Sequence, residues 1–289
     1  MRYDIAGLII DFQTNLKNMP EEFTSYVSES DGAADCEVNF LQCSELSPSQ
    51  GRFLYEDGLK WYTHSENEDG FSVYLSTPLY PFGPVCKLTA AKDWRQVSIE
   101  YIKDLSDQQL AVFKFFSNIV IRNLILLHQG IILHASATKW RDKGIAFTAP
   151  AGTGKSTQAQ LWETYRGATV INDDSSPILK RSAEKITIHG TPWCGSSHKH
   201  LNTSAPLNAI IVLEQNDNNS LHRLQEPELS SCLLPRFLLP YHDRRLMDLA
   251  LSHIARIIAS TPIYLLQCRP DQEAVELVHK VILNELDAG

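Results

Sequence analysis

Cysteine is scarce and poorly spaced for cross-linking: Cys36, Cys43, Cys86, Cys194, Cys232 and Cys268 contain no Cys-x-x-Cys pair. That spacing suggests neither a disulfide framework nor a four-cysteine zinc site, and reduced thiols in a cytoplasmic protein are the expected state. Long apolar runs are missing as well. The longest tract, Val112 to Leu127, is broken by Lys114, Ser117, Asn118, Arg122 and Asn123. It falls short of the ~20 apolar residues of a membrane span, so no membrane partner is expected and the tract reads as a buried helix. Ile5 to Ile10 is too short, and ends too soon at Asp11, for a signal peptide. Positive charge is the third deficit: 26 Lys and Arg against 34 Asp and Glu give a net charge of −8, and the basic residues are scattered. A nucleic-acid footprint is therefore not expected, and any polyanion bound should be small.

What is present sorts into two parts. A length of 289 residues suffices for two packed units. The first, residues 1–104, reads as β-rich, with candidate strands Ile5 to Phe12, Gly58 to Thr63, Phe71 to Ser76 and Gln96 to Ile102 between turn-rich stretches such as Ser28 to Gly32. A helix then starts near Ser106, with Gln109 three residues on as in a capping box, and runs to Leu127. It reads as the opening of a second unit, 105–289. From Gly130 the order becomes strand (Ile131 to His134), strand (Gly144 to Thr148), Gly-rich loop, helix (Ser156 to Tyr165) and strand (Ala168 to Ile171). That order predicts an α/β fold with a P-loop nucleotide-binding core. Ala209 to Leu213 and Ile263 to Gln267 read as further strands, Asp243 to Ala259 and Asp271 to Leu286 as helices.

The sharpest motif is Ala149-Pro150-Ala151-Gly152-Thr153-Gly154-Lys155-Ser156-Thr157, between an apolar strand and a helix. Ala151 to Thr157 are expected to cradle the phosphates of ATP: Gly152 and Gly154 turn backbone N–H groups inward, Lys155 neutralises phosphate, and Ser156 ligates Mg²⁺. The first glycine of the usual pattern is replaced by Ala149. Asp173 and Asp174 follow at the end of an apolar strand, 18 and 19 residues after Lys155. One carboxylate can hold the metal while the other accepts a proton, although an adjacent pair can also cap a turn. His134, read as the end of its strand, is a third candidate, with a structural role as its alternative. Arg236, at a loop edge after Leu233-Leu234-Pro235, is the best placed of Arg236, Arg244 and Arg245 to offset transition-state charge. His189, Cys194, His198 and His200 crowd one stretch whose spacing matches no common zinc site; it reads as a loop closing over substrate, with His198 or Lys199 near phosphate.

Taken together, Leu133-His134-Ala135-Ser136-Ala137, Gly144-Ile145-Ala146-Phe147, Gly152 to Thr157 and Val170 to Asp174 resemble the C-terminal kinase domain of HPr kinase/phosphorylase. The resemblance is closest to the shorter precursor-peptide serine kinases, and it implies a fold like that of phosphoenolpyruvate carboxykinase. It also implies Asp173 as base, Asp174 and Ser156 near Mg²⁺, Lys155 on phosphate and His134 beside the reacting group. The glutamate those enzymes carry after the Asp pair has no counterpart in Gly190 to Ser197, which implies a kinase without the reverse reaction. The expected partner is a serine-containing peptide or small protein, with a homo-oligomer as an open arrangement. Phosphorylation of a small metabolite such as free serine, or nucleotide sensing without chemistry, are the competing functions.

Overall fold

Within the first hundred residues, Arg2–Ile5, Leu8–Thr14, Cys36–Cys43 and Leu59–Thr63 alternate buried and more exposed side chains. In the structure, a computed structural model that describes residues 1–65, 69–77, 83–180 and 185–284, this part of the chain forms one eight-stranded sheet. Its strands are Arg2–Ile5 (β1), Leu8–Thr14 (β2), Cys36–Cys43 (β3), Phe53–Glu56 (β4), Leu59–Thr63 (β5), Gly70–Ser76 (β6), Pro84–Ala91 (β7) and Gln96–Ile102 (β8), in the order β1-β2-β3-β8-β7-β6-β5-β4. The single strand expected from Ile5 to Phe12 is instead a hairpin. Ala6 and Gly7 take φ of 54° and 74°, the two positive values a tight two-residue turn between antiparallel strands needs.

Helix α1, Gln109–Leu127, follows a 3₁₀ turn at Lys103–Gln108; the side chain of Ser106, read as its cap, lies outside the described residues. It sets Phe113 among Phe12, Phe23 and Phe40, at ring centroid distances of 4.9, 5.4 and 5.5 Å. Burying each such ring is worth roughly 1.5–3 kcal/mol. This cluster draws α1 into the first unit, which comprises Met1–Leu127 with Pro240–Asp248, so the division falls after Leu127 and not at the 104/105 boundary read from the sequence. By length and composition α1 passes as a membrane span, and 67% of that window is buried within the protein.

The segment Pro240–Asp248 returns to the first unit with His242 stacked on Trp61 at 3.7 Å and edge-on to Phe71 at 5.2 Å. Burial pushes the imidazole down to about 3, so it stays neutral in the folded state while the unfolded state protonates near 6.5. A base with a depressed folded pKa loses stability as pH falls below its unfolded value, and goes on losing it down to its folded value. Between pH 7 and pH 5 the loss from this group is about 2 kcal/mol. Urea unfolding at the two pH values should show that difference in the wild type and not in His242→Phe, which keeps the stack; an equal slope in both would remove His242 as its source.

The second unit, His128–Leu239 with Leu249–Gly289, holds the remaining strands. These are Gly130–Trp140 (β9), Lys143–Thr148 (β10), Thr169–Asn172 (β11), Ser175–Lys180 (β12), Ile186–His189 (β13), Ser204–Gln215 (β14), Ser220–Arg223 (β15) and Ile263–Cys268 (β16). Its helices are Lys155–Arg166 (α2), Glu228–Leu233 (α3), the part of Arg244–Ser260 (α4) from Leu249 on, and Gln272–Asn284 (α5); the expected extension to Leu286 lies outside the described residues. The sheet order is β10-β9-β12-β13-β14-β16-β15, and β10 also pairs with β14. Strands β10, β14 and β16 are mutually parallel, as an α/β core requires. Trp162 of α2 and Val275 and Val278 of α5 pack with Phe147, Ile211 and Leu266 in one buried cluster.

Candidate functional site

Every residue of β10 is buried, as is Ala149 after it, so the chain leaves the core only at Pro150. The turn into α2 needs two left-handed residues, and glycines stand at both: φ is 78° at Gly152 and 113° at Gly154. Gly154 caps α2 without a side-chain hydrogen bond. The N–H groups of the first helical turn thus receive no side-chain cap among the described residues, an arrangement that with the helix dipole suits an anion. Lys155 opens the helix, buried, its Nζ donating to the carbonyls of Ala149 (3.2 Å) and Pro150 (3.4 Å). Burial lowers its pKa; Asp174 opposes this and Arg236 adds to it, so both charged groups act on the loop lysine.

Strand β9 explains how the other groups gather. The sequence reading ended it at His134, but the strand continues to Trp140, because Ala135 to Thr138 are small enough to be fully buried between neighbours on both sides. His134 is thus a mid-strand residue. It comes near the loop through antiparallel register, since Ala135 pairs with Thr148 and the Thr148 hydroxyl donates to the His134 carbonyl at 2.8 Å. On its other edge β9 pairs with β11 and then β12, and the break between those two strands is Asp173–Asp174. The Ala135 amide donates to the Asp174 carbonyl (3.0 Å) and the Ser136 hydroxyl to that of Asp173 (3.2 Å).

The break turns the two carboxylates in different directions. Asp174 Oδ1 meets His134 Nδ1 at 3.0 Å, and its Oδ2 accepts from the Ser175 hydroxyl at 3.1 Å. The His134 contact, with Ser175 and the charge of Lys155, holds the Asp174 carboxyl below its usual range against the effect of burial. Asp173 is 4% exposed and accepts from the Gly195 amide (2.6 Å), the Ser197 amide (3.0 Å) and, in a short contact, the Ser197 hydroxyl. It fastens the loop after β13.

Asn172, which the sequence reading passed over, organises both. Its Oδ1 accepts from the amides of Asp174 and Ser175, each at 2.8 Å, and its Nδ2 donates to the carbonyls of Thr191 (2.9 Å) and Trp193 (3.1 Å). A fully buried amide using both ends fixes the bend of β11 into β12 against the 191–193 segment. Gly190 stands where a Cβ would lie 1.9 Å from the Leu201 carbonyl, so no larger residue fits there. Lys199, expected near phosphate, is ion-paired with Glu163 of α2 instead. Arg236 is half-buried at the end of the 3₁₀ turn Leu234–Arg236, next to Phe237, which bridges to Leu133 of β9.

Ser156 and Asp174 offer the hard hydroxyl and carboxylate oxygens that Mg²⁺ takes, and the N–H groups at Gly154 to Thr157 suit a phosphate. No model of a known family matches the chain, and no curated protein matches it. Among solved structures it is similar to the HPr(Ser) kinase/phosphatase from Coxiella burnetii, with 14% identity over 54% of this chain and 94% of that chain. The TM-score is 0.32, a distant structural relationship.

Proposed function

We propose that the protein is an ATP-dependent kinase that transfers the γ-phosphoryl group to a serine hydroxyl of a peptide or small protein. The observation that carries the reading is the convergence at the end of β10: a glycine-turned loop with a buried lysine, facing Asp174 and its partner His134, with the charge of Arg236 felt at the lysine. Phosphoryl transfer asks for positioning and charge neutralisation more than for covalent chemistry, and these groups supply both.

Asp174 takes the proton-accepting role in preference to Asp173. A carboxylate that already accepts three hydrogen bonds and is 4% exposed has little capacity for an incoming hydroxyl proton, whereas the Asp174 side chain is 37% exposed and held by one histidine and one hydroxyl. Ser156 would hold Mg²⁺, which when bound would neutralise phosphate charge; Asp174, the other ligand expected from the sequence, is assigned to the proton instead. Lys155 binds phosphate oxygens, Arg236 offsets charge as the bond to the leaving group lengthens, and His134 orients Asp174.

Nucleotide sensing without transfer is the reading that the lack of an acid in Gly190 to Ser197 favours. Intact-mass measurement of serine-containing peptides incubated with the protein, ATP and Mg²⁺ separates the two. A gain of one phosphate that disappears with Asp174→Asn supports the kinase; saturable ATP binding without transfer to peptide or to free serine supports the sensor.

A further inference from the structure

Alternation in the first sheet buries Val38, Phe40, Leu88, Val97 and Ile99 in the core and turns Asn39, Thr89 and Ser98 to the other face. Register brings these three together, since Asn39 of β3 pairs with Ser98 of β8 and Ser98 pairs with Thr89 of β7. With neighbouring strands roughly 4.8 Å apart, the amide and the two hydroxyls make a row about 10 Å long. None of the three side chains has a hydrogen-bond partner among the described residues. The row lines a cleft of about 310 Å³, which falls within the roughly 300–1,000 Å³ of small-molecule sites.

The rest of the wall defines what fits. His64 holds its ring by Nδ1 against the Ser72 hydroxyl at 3.1 Å, which leaves Nε2 for a ligand. Asp69 accepts from the Ser65 hydroxyl at one oxygen (2.8 Å), and Gln96 donates its amide to Glu37 (3.0 Å), so each keeps an acceptor oxygen in hand. Lysine and arginine are missing from the wall among the described residues. Lys87, which pairs with Glu100 in the next row of the sheet, is buried, and its Nζ donates to the Ser47 hydroxyl at 2.6 Å. An anion would therefore meet Asp69 with no cation to offset it. An amine would pair with Asp69 and leave the row unmet. Hydroxyls and amides both donate and accept, as the hydroxyls of a sugar do, and alternate carbons of a sugar ring space them much as neighbouring strands space this row.

We infer that the cleft is a binding site for an uncharged polyhydroxy compound, a sugar of monosaccharide size. Asn39, Thr89 and Ser98 exchange hydrogen bonds with its hydroxyls, while Asp69 and Gln96 accept from them. The site belongs to the first unit alone and does not depend on the kinase reading.

Ligand-observed NMR titration of the full chain with D-glucose, D-galactose and N-acetyl-D-glucosamine, each beside its 6-phosphate, tests the inference. At least one neutral sugar should saturate below ~10 mM, and its 6-phosphate should bind about ten-fold or more weakly. Thr89→Val and Asn39→Leu keep the side-chain shape and remove the hydrogen bonds. Each should weaken binding of that sugar about ten-fold or more at an unchanged melting temperature, because a site built around hydrogen bonds loses most when one partner is removed. Failure of all three neutral sugars to saturate overturns the inference. Wild-type sugar affinity in either variant, or tighter binding of a 6-phosphate than of its parent sugar, overturns it as well.

Discussion

Asp174→Asn should lower turnover by ~10² or more while leaving ATP affinity nearly intact, because the substitution keeps the volume and removes the proton acceptor. Asp173→Asn should act differently. It replaces the acceptor of the Gly195 and Ser197 amides with a group that can accept at only one of its two ends, leaving a buried donor short of a partner at a cost of about 1–3 kcal/mol. The expected result is a lower melting temperature and a displaced 195–197 segment, with turnover falling as a consequence of that displacement. Measuring turnover, ATP affinity and thermal stability of both variants side by side decides the assignment. Full stability and abolished turnover in Asp173→Asn, with an active Asp174→Asn, would return the base to Asp173.

Lys155→Met should abolish the stabilisation that ATP gives the protein. A ligand present at 100 times its dissociation constant stabilises by about 2.7 kcal/mol, which is read directly as an upward shift in melting temperature. The lysine is the loop's own cation, and its charge is desolvated before any ligand arrives, as its lowered pKa records. Without ligand, Met at this position should therefore leave the melting temperature unchanged or raise it, because a depressed lysine pKa means the charged form is disfavoured on folding. The paired outcome, equal or better stability alone and no response to ATP, separates a binding role from a packing role. A variant that still responds to ATP with the wild-type shift would remove Lys155 from phosphate binding.

The candidate site was legible unevenly, and the reasons differ by residue. The loop could be read because glycine at two left-handed positions before a helix is a local demand, met within nine residues of sequence. Strands β5, β6 and β8 could be read because β-branched and aromatic content between turn residues is local too. The hairpin of β1 and β2 was merged into one strand because Ala6, an unusual residue for a positive φ, gave no turn signal. Strand β9 was cut short because Ala135, Ser136 and Ala137 have weak strand preference and are held by neighbours on both edges. Asn172 escaped notice because nothing local distinguishes an asparagine that organises two segments from one that ends a strand.

By itself the sequence determined the local chemistry of this protein: a loop that must turn through Gly152 and Gly154, a lysine at the first position of a helix, and two acids after a short strand. Backbone sterics and hydrogen-bond geometry act over a few residues, so such features survive without knowledge of the fold. Tertiary structure alone decided which acid faces the loop, since that follows from the break between β11 and β12 opposite β9 and from the amides of Gly195 and Ser197, 22 and 24 residues away in the chain. It also decided that α1 packs with the first sheet and that the ends of β10, β14 and β16 enclose a cavity. Those outcomes depend on burial and on register between distant strands, which no window of sequence contains.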